Sequence, residues 1–335
     1  MVQAGGGGLF LDIEGAFPNA VTEQLLYNLR ACCIPEVYVT FIKNMLTGRH
    51  NRLKFDDYVS DWFKLDNGIV QGDPLLMIPY LFYNADMLDI AHGCHELCLG
   101  YVDDMALIAS VDTFENAHRM LGNMMSRLGG SLQWAAEHNL KFETSKSVLI
   151  DFSRAKGVGR LDMSLRGSLI KPSTSHKFLG VQLDQELRWK RQADYALGKA
   201  SKWMLAFRRL ARMASGVNLR LMWRLYHAVT ILKMTYAVDV WYTPLHRKEG
   251  AKKDSGSVGI TNKLVSLQRM AALAITGALH STATDVLDLH AGTQPVRLLL
   301  HRLCRWAALW IASLPDTHPL HTVYCTCPSW YIKTH

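Results

Sequence analysis

No apolar run in this 335-residue chain reaches the roughly 18 residues that a membrane-spanning helix needs, so no membrane partner is expected. The glycine-rich start, Met1 to Gly8, lacks the basic and apolar regions of a secretory signal. Cysteines are few and ill placed for a disulfide framework. Cys32, Cys33, Cys94, Cys98, Cys304, Cys325 and Cys327 are odd in number and irregular in spacing, which reads as reduced thiols inside a cell. Internal repeats are absent. Acidic residues are scarce in one place above all. Between Glu186 and Lys253, fifteen Lys and Arg stand against four Asp and Glu, a surplus of eleven; the chain as a whole carries +8, so the remainder is net −3. A concentrated basic region suggests a polyanionic partner such as nucleic acid, with a plain solvated face as the alternative.

What is present suits a folded protein. Apolar residues make up 49% and charged residues 20%, which excludes a disordered chain, and the length allows two domains. Gly8 to Ile13 reads as a short buried strand that follows the glycine tract directly, so an upstream segment is expected to be absent. Thr22 is expected to cap a helix to about Ala31, and Pro35 opens another. Arg52 to Leu65 alternates like a hairpin. Pro74 starts a helix carrying Tyr80, Leu81, Tyr83 and Leu88. Leu97 to Ser110 reads as two strands around an Asp103-Asp104 turn. Asp112 and Glu115 open a long helix broken at Gly129-Gly130. Short strands follow to Asp184.

Beyond Arg188, helical spacing takes over: Ala193, Leu197, Ala200, Met204, Phe207 and Ala211 form one stripe, and Leu221, Leu225, Ala228 and Leu232 another. Leu264 to Ile275 and Val296 to Ile311 add two helices. The expected architecture is therefore α+β up to about Asp184, then an all-helical basic domain. In finer divisions, residues 1–8 are a glycine-rich start, 9–160 and 161–187 the α+β part, and 188–246 a basic helical region. Residues 247–259 are a linker, 260–314 the C-terminal helices and 315–335 a tail.

Asp12 ends an apolar strand, and Asp103 and Asp104 stand at the tip of an apolar hairpin. Carboxylates at the ends of core strands are costly unless they meet water, a partner or a metal. Adjacent like charges add to that cost, and a divalent cation relieves it. Each aspartate alone could be a turn or cap residue; three in such settings point to a hard-cation site of the Mg²⁺ type. Two such ions about 3.5–4 Å apart suit phosphoryl transfer.

Three segments resemble, in order and separation, the core motifs of reverse transcriptases. Phe10-Leu11-Asp12-Ile13-Glu14-Gly15-Ala16-Phe17 resembles the first. Gly68-Ile69-Val70-Gln71-Gly72-Asp73-Pro74 resembles the second, and Tyr101-Val102-Asp103-Asp104 the aromatic-x-Asp-Asp third. Asn139 to Arg154, with Lys146, is similar to the fourth motif, and Phe178-Leu179-Gly180-Val181 to the primer grip. The resemblance is to LINE-type (non-LTR) retrotransposon enzymes, and among them to a fungal branch, and covers about Leu9 to Leu210. Gln268-Arg269-Met270 and Ile275-Thr276-Gly277-Ala278 match more loosely.

The resemblance implies a polymerase palm, 9–160, a primer-grip hairpin, 161–187, and a thumb-like helical domain. It implies an RNA-directed DNA polymerase that uses an RNA template, a DNA primer and deoxynucleoside triphosphates, and a nuclear setting. Asp12 and Asp103 would hold two Mg²⁺ ions, with Mn²⁺ as a substitute. Asp104 would support them and the Ile13 carbonyl would add a ligand. Phe17 would exclude a ribose 2′-hydroxyl, Gln71 and Gly72 would line the nucleotide pocket, and Lys146 would give a proton to pyrophosphate. Phe178, Leu179 and Gly180 would place the primer end. Leu76 stands where the family has serine, and Pro79 where it has an aliphatic residue. No fingers, endonuclease or ribonuclease H pattern is visible, so an inactive, truncated remnant that only binds nucleic acid is the alternative. His92-x-Cys94-His95-x2-Cys98 is expected to be a loop. His318-x2-His321-x3-Cys325-x-Cys327 has zinc-ligand types at unusual spacing. Trp189, Trp203 and Trp223 are expected to pack in helices.

Overall fold

The computed structural model describes residues 5–70, 72–155, 160–165, 167–210, 217–247, 249–250, 252–318 and 320. The chain divides into two units, Met1–Leu187 and Arg188–His335. The first is α+β with an antiparallel sheet and the second is all-helical among the described residues.

Strand β1, Gly5–Glu14, is the spine of the first unit. It begins three residues earlier than the sequence pattern suggests, because the glycine tract is itself sheet. A Cβ on Gly7 would lie 3.1 Å from the Ala117 Cβ and 3.2 Å from Leu121 Cδ1. Glycine there lets a helix press directly on the strand. Short helix α1, Ala16–Asn19, follows, then α2, Thr22–Ala31, and α3, Glu36–Leu46. Thr22 does not cap α2. The N-cap is Val21, and the Thr22 hydroxyl is buried without a partner.

A long hairpin comes next, with β2, Arg49–Asn51, against β5, Phe63–Leu65. Its tip pairs β3, Lys54–Phe55, with β4, Tyr58–Val59. Helix α4, Pro74–Tyr83, is capped by the Asp73 carboxylate, which accepts from the Leu75 N–H at 2.9 Å, and it runs through Pro79. Leu88 belongs to a separate 3₁₀ turn, Ala85–Ile90. Strands β6, Glu96–Tyr101, and β7, Asp104–Val111, form the expected hairpin. Helix α5, Phe114–Ser126, is capped by the Thr113 hydroxyl, one residue after the expected Asp112. It ends before Gly129-Gly130, and α6, Ser131–Glu137, starts after them.

Strands β8, Lys141–Phe142, and β9, Val148–Phe152, both pair with β1, giving the order β6-β7-β1 with β8 and β9 sharing the far edge. Two small hairpins complete the unit: β10, Met163–Leu165, with β11, Ser168–Ile170, and β12, Ser175–Phe178, with β13, Val181–Asp184. The two faces of the sheet differ. Leu9, Leu11, Ile13, Met105, Leu107 and Leu149 point into the main core with α2, α4 and α5. Phe10, Ala106 and Ile150 point the other way, into a small cluster with Phe178 and Leu183.

In the second unit, α7, Lys190–Leu210, buries Ala193, Ala196, Ala200, Met204 and Phe207. Helix α8, Leu219–Leu225, passes through a π-helical turn, Tyr226–Ile231, into α9, Leu232–Met234. The expected stripe of Leu221, Leu225, Ala228 and Leu232 faces solvent; Met222, Tyr226, Thr230 and Met234 are the buried ones. Their spacing of four exceeds the 3.6 residues of an α-turn, and the wider π turn takes up the drift. Short α10, Val238–Trp241, then α11, Val258–Thr276, α12, Thr284–Ala291, and α13, Val296–Ala312, complete the unit. Trp189 is partly buried against this core. Trp203 is 46% exposed and Trp223 is 37% exposed, so these two do not fill it.

A candidate catalytic face on the sheet

Strand alternation sets the side chains of Asp12 and Phe10 on one face of β1, and those of Asp104 and Ala106 on the same face of β7. Asp12 stands directly opposite Asp104 in the ladder. Asp103 occupies the two-residue turn between Tyr101 and Asp104, which also pair. The turn is held from two sides: the Ile13 N–H donates to the Asp103 carbonyl at 3.3 Å, and Asn84 Nδ2 donates to the Val102 carbonyl at 2.6 Å. Val102 sits at φ 58°, a left-handed conformation that a β-branched residue rarely adopts. The Asn84 bond is therefore a direct restraint on the turn that carries Asp103.

Burial raises the Asp104 carboxyl above its ordinary value, and the charges of Asp103 and Asp12 raise it further. Electrostatically the three carboxylates form one anionic centre. Across β1, the Glu143 N–H donates to the Asp12 carbonyl at 3.0 Å, which brings the segment around Lys146 against the strand. Lys146 Nζ lies 3.0 Å from Asp12 Oδ2 and 2.5 Å from Glu143 Oε2. The Glu143 hydrogen bond, then that of Asp12, holds its ammonium well above the usual lysine range.

The hairpin of β12 and β13 turns at Leu179-Gly180, both with positive φ, which is the two-residue turn that strand twist favours. The Phe178 ring packs 5.2 Å from that of Phe10, on the sheet face that carries Asp12 two residues further on. The fold therefore gathers Asp12, Asp103, Asp104, Lys146 and Phe178 at one face, with Leu179 and Gly180 at the adjoining turn. Ile13 is buried and in register with Phe142.

Other expected site residues stand apart. Phe17 is 7% exposed and stacks on Tyr80, ring centroids 4.4 Å apart, inside the main core. Its carbonyl accepts from the Ile69 N–H at 2.8 Å. Gly68, next in chain, has φ 90°, and a Cβ there would meet the Pro18 carbonyl oxygen at 2.6 Å, so only glycine fits. Gly72 is exposed with open space around it, and Gln71 lies outside the described residues. Leu76 is buried. Sequence reasoning misses Glu143 and Asn84. Glu143 carries a readable signal, three residues before the motif lysine at helical spacing; Asn84 has none.

No group of three His, Cys, Asp or Glu side chains among the described residues is arranged to hold a metal ion. The donor set would nonetheless suit one: the three side chains offer only hard carboxylate oxygens, Asp103 and Asp12 oppose the charge on Asp104, and Asp12 Oδ2 already pairs with an ammonium. The His92–Cys98 segment shows no such fit, since Cys98 is buried in β6 and His95 bonds the Ser110 carbonyl. The His318–Cys327 pattern falls largely outside the described residues. No described helix is long and apolar enough to cross a membrane. Two clefts of about 680 and 410 Å³ lie beside α5 and include none of the three aspartates.

No protein-family model matches the chain. Among solved structures, a telomerase from Candida tropicalis in complex with a fragment of telomeric RNA aligns over 100% of this chain and 50% of its own, with a TM-score of 0.41 and 10% identity. A likeness of that strength carries no functional inference. Curated proteins are nearer in sequence. The chain is 29% identical over 158 residues to a retrovirus-related Pol polyprotein from type-1 retrotransposable element R1 of Nasonia vitripennis, covering 47% of this chain and 37% of that one. It is 26% identical over 223 residues to the RNA-directed DNA polymerase from mobile element jockey of Drosophila melanogaster, covering 63% of this chain. The match spans only 24% of that relative's length. This chain is thus similar, at low identity and over a fraction of their length, to RNA-directed DNA polymerases of mobile elements.

Proposed function

We propose that the chain is the palm and thumb portion of an RNA-directed DNA polymerase of a non-LTR retrotransposon, adding deoxynucleotides to a primer 3′-hydroxyl on an RNA template. The observation that carries this reading is the ladder pairing of Asp12 with Asp104, with Asp103 on the turn beside them and the Phe178 hairpin on the same face. Asp12 and Asp103 would hold two Mg²⁺ or Mn²⁺ ions, with Asp104 and the Ile13 carbonyl in support. Bound there, such ions supply the Lewis acidity that activates a hydroxyl nucleophile and stabilises a leaving pyrophosphate. Asp104, whose carboxyl is opposed by burial and by the charges of Asp103 and Asp12, gains from the added positive charge. The Phe178-Leu179-Gly180 turn would steady the primer end. Lys146 would place a proton donor beside the departing phosphates. Gln71 and Gly72 would line the nucleotide pocket, and Phe17 would shape its floor from within the core.

The second unit would hold the duplex by charge. Lys190, Arg191, Lys202, Arg208 and Arg209 on α7, and Arg220 and Arg224 on α8, are exposed. Such contacts follow phosphates and do not read sequence. The insect origin of the relatives offers nothing for a fungal branch, which rests on the motif likeness alone, as does a nuclear setting.

The test is Mg²⁺-dependent extension of a DNA primer on an RNA template by the full chain. Asp103→Ala and Asp104→Ala each remove metal support worth several kcal/mol and should cut incorporation by about 10³-fold. If the intact chain incorporates nothing while binding primer–template in a salt-sensitive way, it is a binding remnant and the polymerase reading fails.

A further inference from the structure

Lys146 faces two carboxylates with one ammonium. Its Nζ is 3.0 Å from Asp12 Oδ2 and 2.5 Å from Glu143 Oε2. Glu143 is not free to wander. Its N–H is bonded to the Asp12 carbonyl, its carbonyl accepts from the Lys146 N–H at 3.1 Å, and its Oε1 accepts from the Ser145 hydroxyl at 2.9 Å. The Glu143 carboxylate is thereby anchored at a fixed remove from Asp12. Asp12 is one-third exposed, and Asp103 is exposed at the turn, so both are reachable by an ion from solvent.

We propose that Lys146 is the resident counter-cation of Asp12, which a divalent cation must displace, and that Glu143 is the positioning residue that retains Lys146 at the site when this happens. The inference rests on the reading of Asp12, Asp103 and Asp104 as a divalent-cation site, and adds a competition to it. Asp12 Oδ2 cannot serve the ammonium and a metal ion at full strength together, because the two cations repel at that separation. A divalent ion outcompetes a single tethered charge only when further carboxylates also turn to it, and Asp103 and Asp104 supply them. Without Glu143, the displaced ammonium would have no anionic partner and would contest Asp12. With Glu143, whose Oε2 is already 2.5 Å from Nζ, it keeps an anionic partner and stays beside Asp12.

The experiment is a Mn²⁺ titration of the full chain at low salt, following the electron paramagnetic resonance of free Mn²⁺, with five variants, one of them double. Lys146→Ala should tighten Mn²⁺ binding by ~3- to 10-fold, the scale of losing an exposed ion pair and the repulsion of a neighbouring charge. Lys146→Arg should restore the weaker binding. Glu143→Gln should weaken binding a few-fold, but by less than twofold when Lys146 is already alanine, because its effect runs through that lysine. The second readout is the ¹³C-dimethyl-lysine NMR resonance of Lys146, assigned by its loss in Lys146→Arg. Added Mg²⁺ should move it towards its position in Asp12→Asn. Unchanged or weaker Mn²⁺ binding in Lys146→Ala overturns the displacement while leaving the metal site standing. An equal effect of Glu143→Gln in both backgrounds overturns the role of Glu143. Absence of Mn²⁺ binding in every variant, or its survival in Asp12→Asn, overturns the metal site itself and this inference with it.

Discussion

Replacing Phe17 with alanine separates two roles open to that side chain, nucleotide gate and core packing. As a gate residue reaching a bound nucleotide, its ring would project from the surface, and its loss would cost little stability. The structure shows a ring 7% exposed, stacked at 4.4 Å on Tyr80, itself 0% exposed. A buried phenylalanine removes about 150–250 Å² from water, worth about 4–6 kcal/mol at about 25 cal/mol per Å², and Phe→Ala in cores costs about 3–5 kcal/mol. The expected loss is therefore close to 4 kcal/mol. Because the chain has two units, one melting curve would mix them. Hydrogen exchange read on peptides within 5–187 isolates the relevant part. The slowest amides of Leu9 to Leu11, at the centre of the core, should exchange two to three orders of magnitude faster, since about 1.4 kcal/mol is tenfold. Amides of α7 and α11 should be unaffected. A change under tenfold, together with raised ribonucleotide incorporation, would refute the core assignment and restore the gate.

Two other perturbations probe the frame around the site. His138 is 2% exposed; its Nδ1 donates to the Trp134 carbonyl at 2.9 Å while Nε2 lies 3.2 Å from Asp86 Oδ2, so both ring nitrogens face acceptors. Burial opposes the charged ring, but these partners overcome it and raise His138 above its ordinary 6.5, while burial of Asp86 is likewise overcome and its carboxyl falls below 3.8. The His138 contribution is then fully present below about pH 6.5 and is lost as pH rises through the raised value. That of Asp86 is present above about pH 4 and is lost as pH falls. Stability of residues 5–187, measured by exchange, should decline from pH 6 to pH 9, and the decline should flatten in His138→Gln; a steeper slope in the variant would refute the assignment. Asn84→Ala removes the 2.6 Å bond to the Val102 carbonyl. It should cost about 1–3 kcal/mol and loosen residues 101–105 selectively, visible as faster exchange there; an unchanged turn would show that Asn84 does not restrain it.

The parts of the site legible in sequence are those whose chemistry resists burial. An aspartate closing Phe10-Leu11 and a pair at the tip of an apolar hairpin stand out against their surroundings, and the ladder sets Asp12 opposite Asp104. The strands around them are readable from apolar runs and the helix breaks from Gly129-Gly130. What sequence does not reveal is which side of a pattern will be buried. In the helix from Leu219 to Met234 the apolar residues outnumber the places available, and leucines 221, 225 and 232 lose to Met222, Tyr226 and Met234 because a π turn favours a spacing of four. The glycine tract misleads in the opposite direction. Glycine lowers strand propensity, but Gly7 is needed by Ala117 and Leu121 of a helix distant in sequence, and propensity carries no knowledge of that helix.

The same limit explains the residues missed at the site. Motif reading finds groups that act on a substrate, since their chemistry is unusual for their place. Glu143 and Asn84 act on other residues, and an acidic residue in an exposed turn or an asparagine after a helix is ordinary wherever it occurs. Only the folded chain shows that the Glu143 N–H closes on the Asp12 carbonyl and that the Asn84 side chain reaches the Val102 carbonyl. The candidate catalytic face is thus built in two layers with different legibility. Three aspartates carry the charge. A turn strained at Val102 and a lysine shared between two carboxylates decide how that charge is presented. An anionic centre whose members repel cannot hold its own geometry, so something outside it must, and in this chain Asn84 holds the Asp103 side while Glu143 and Lys146 hold the Asp12 side. Exchanging either restraint while leaving all three aspartates in place should change divalent-cation affinity, and that is where sequence resemblance and structure make different predictions.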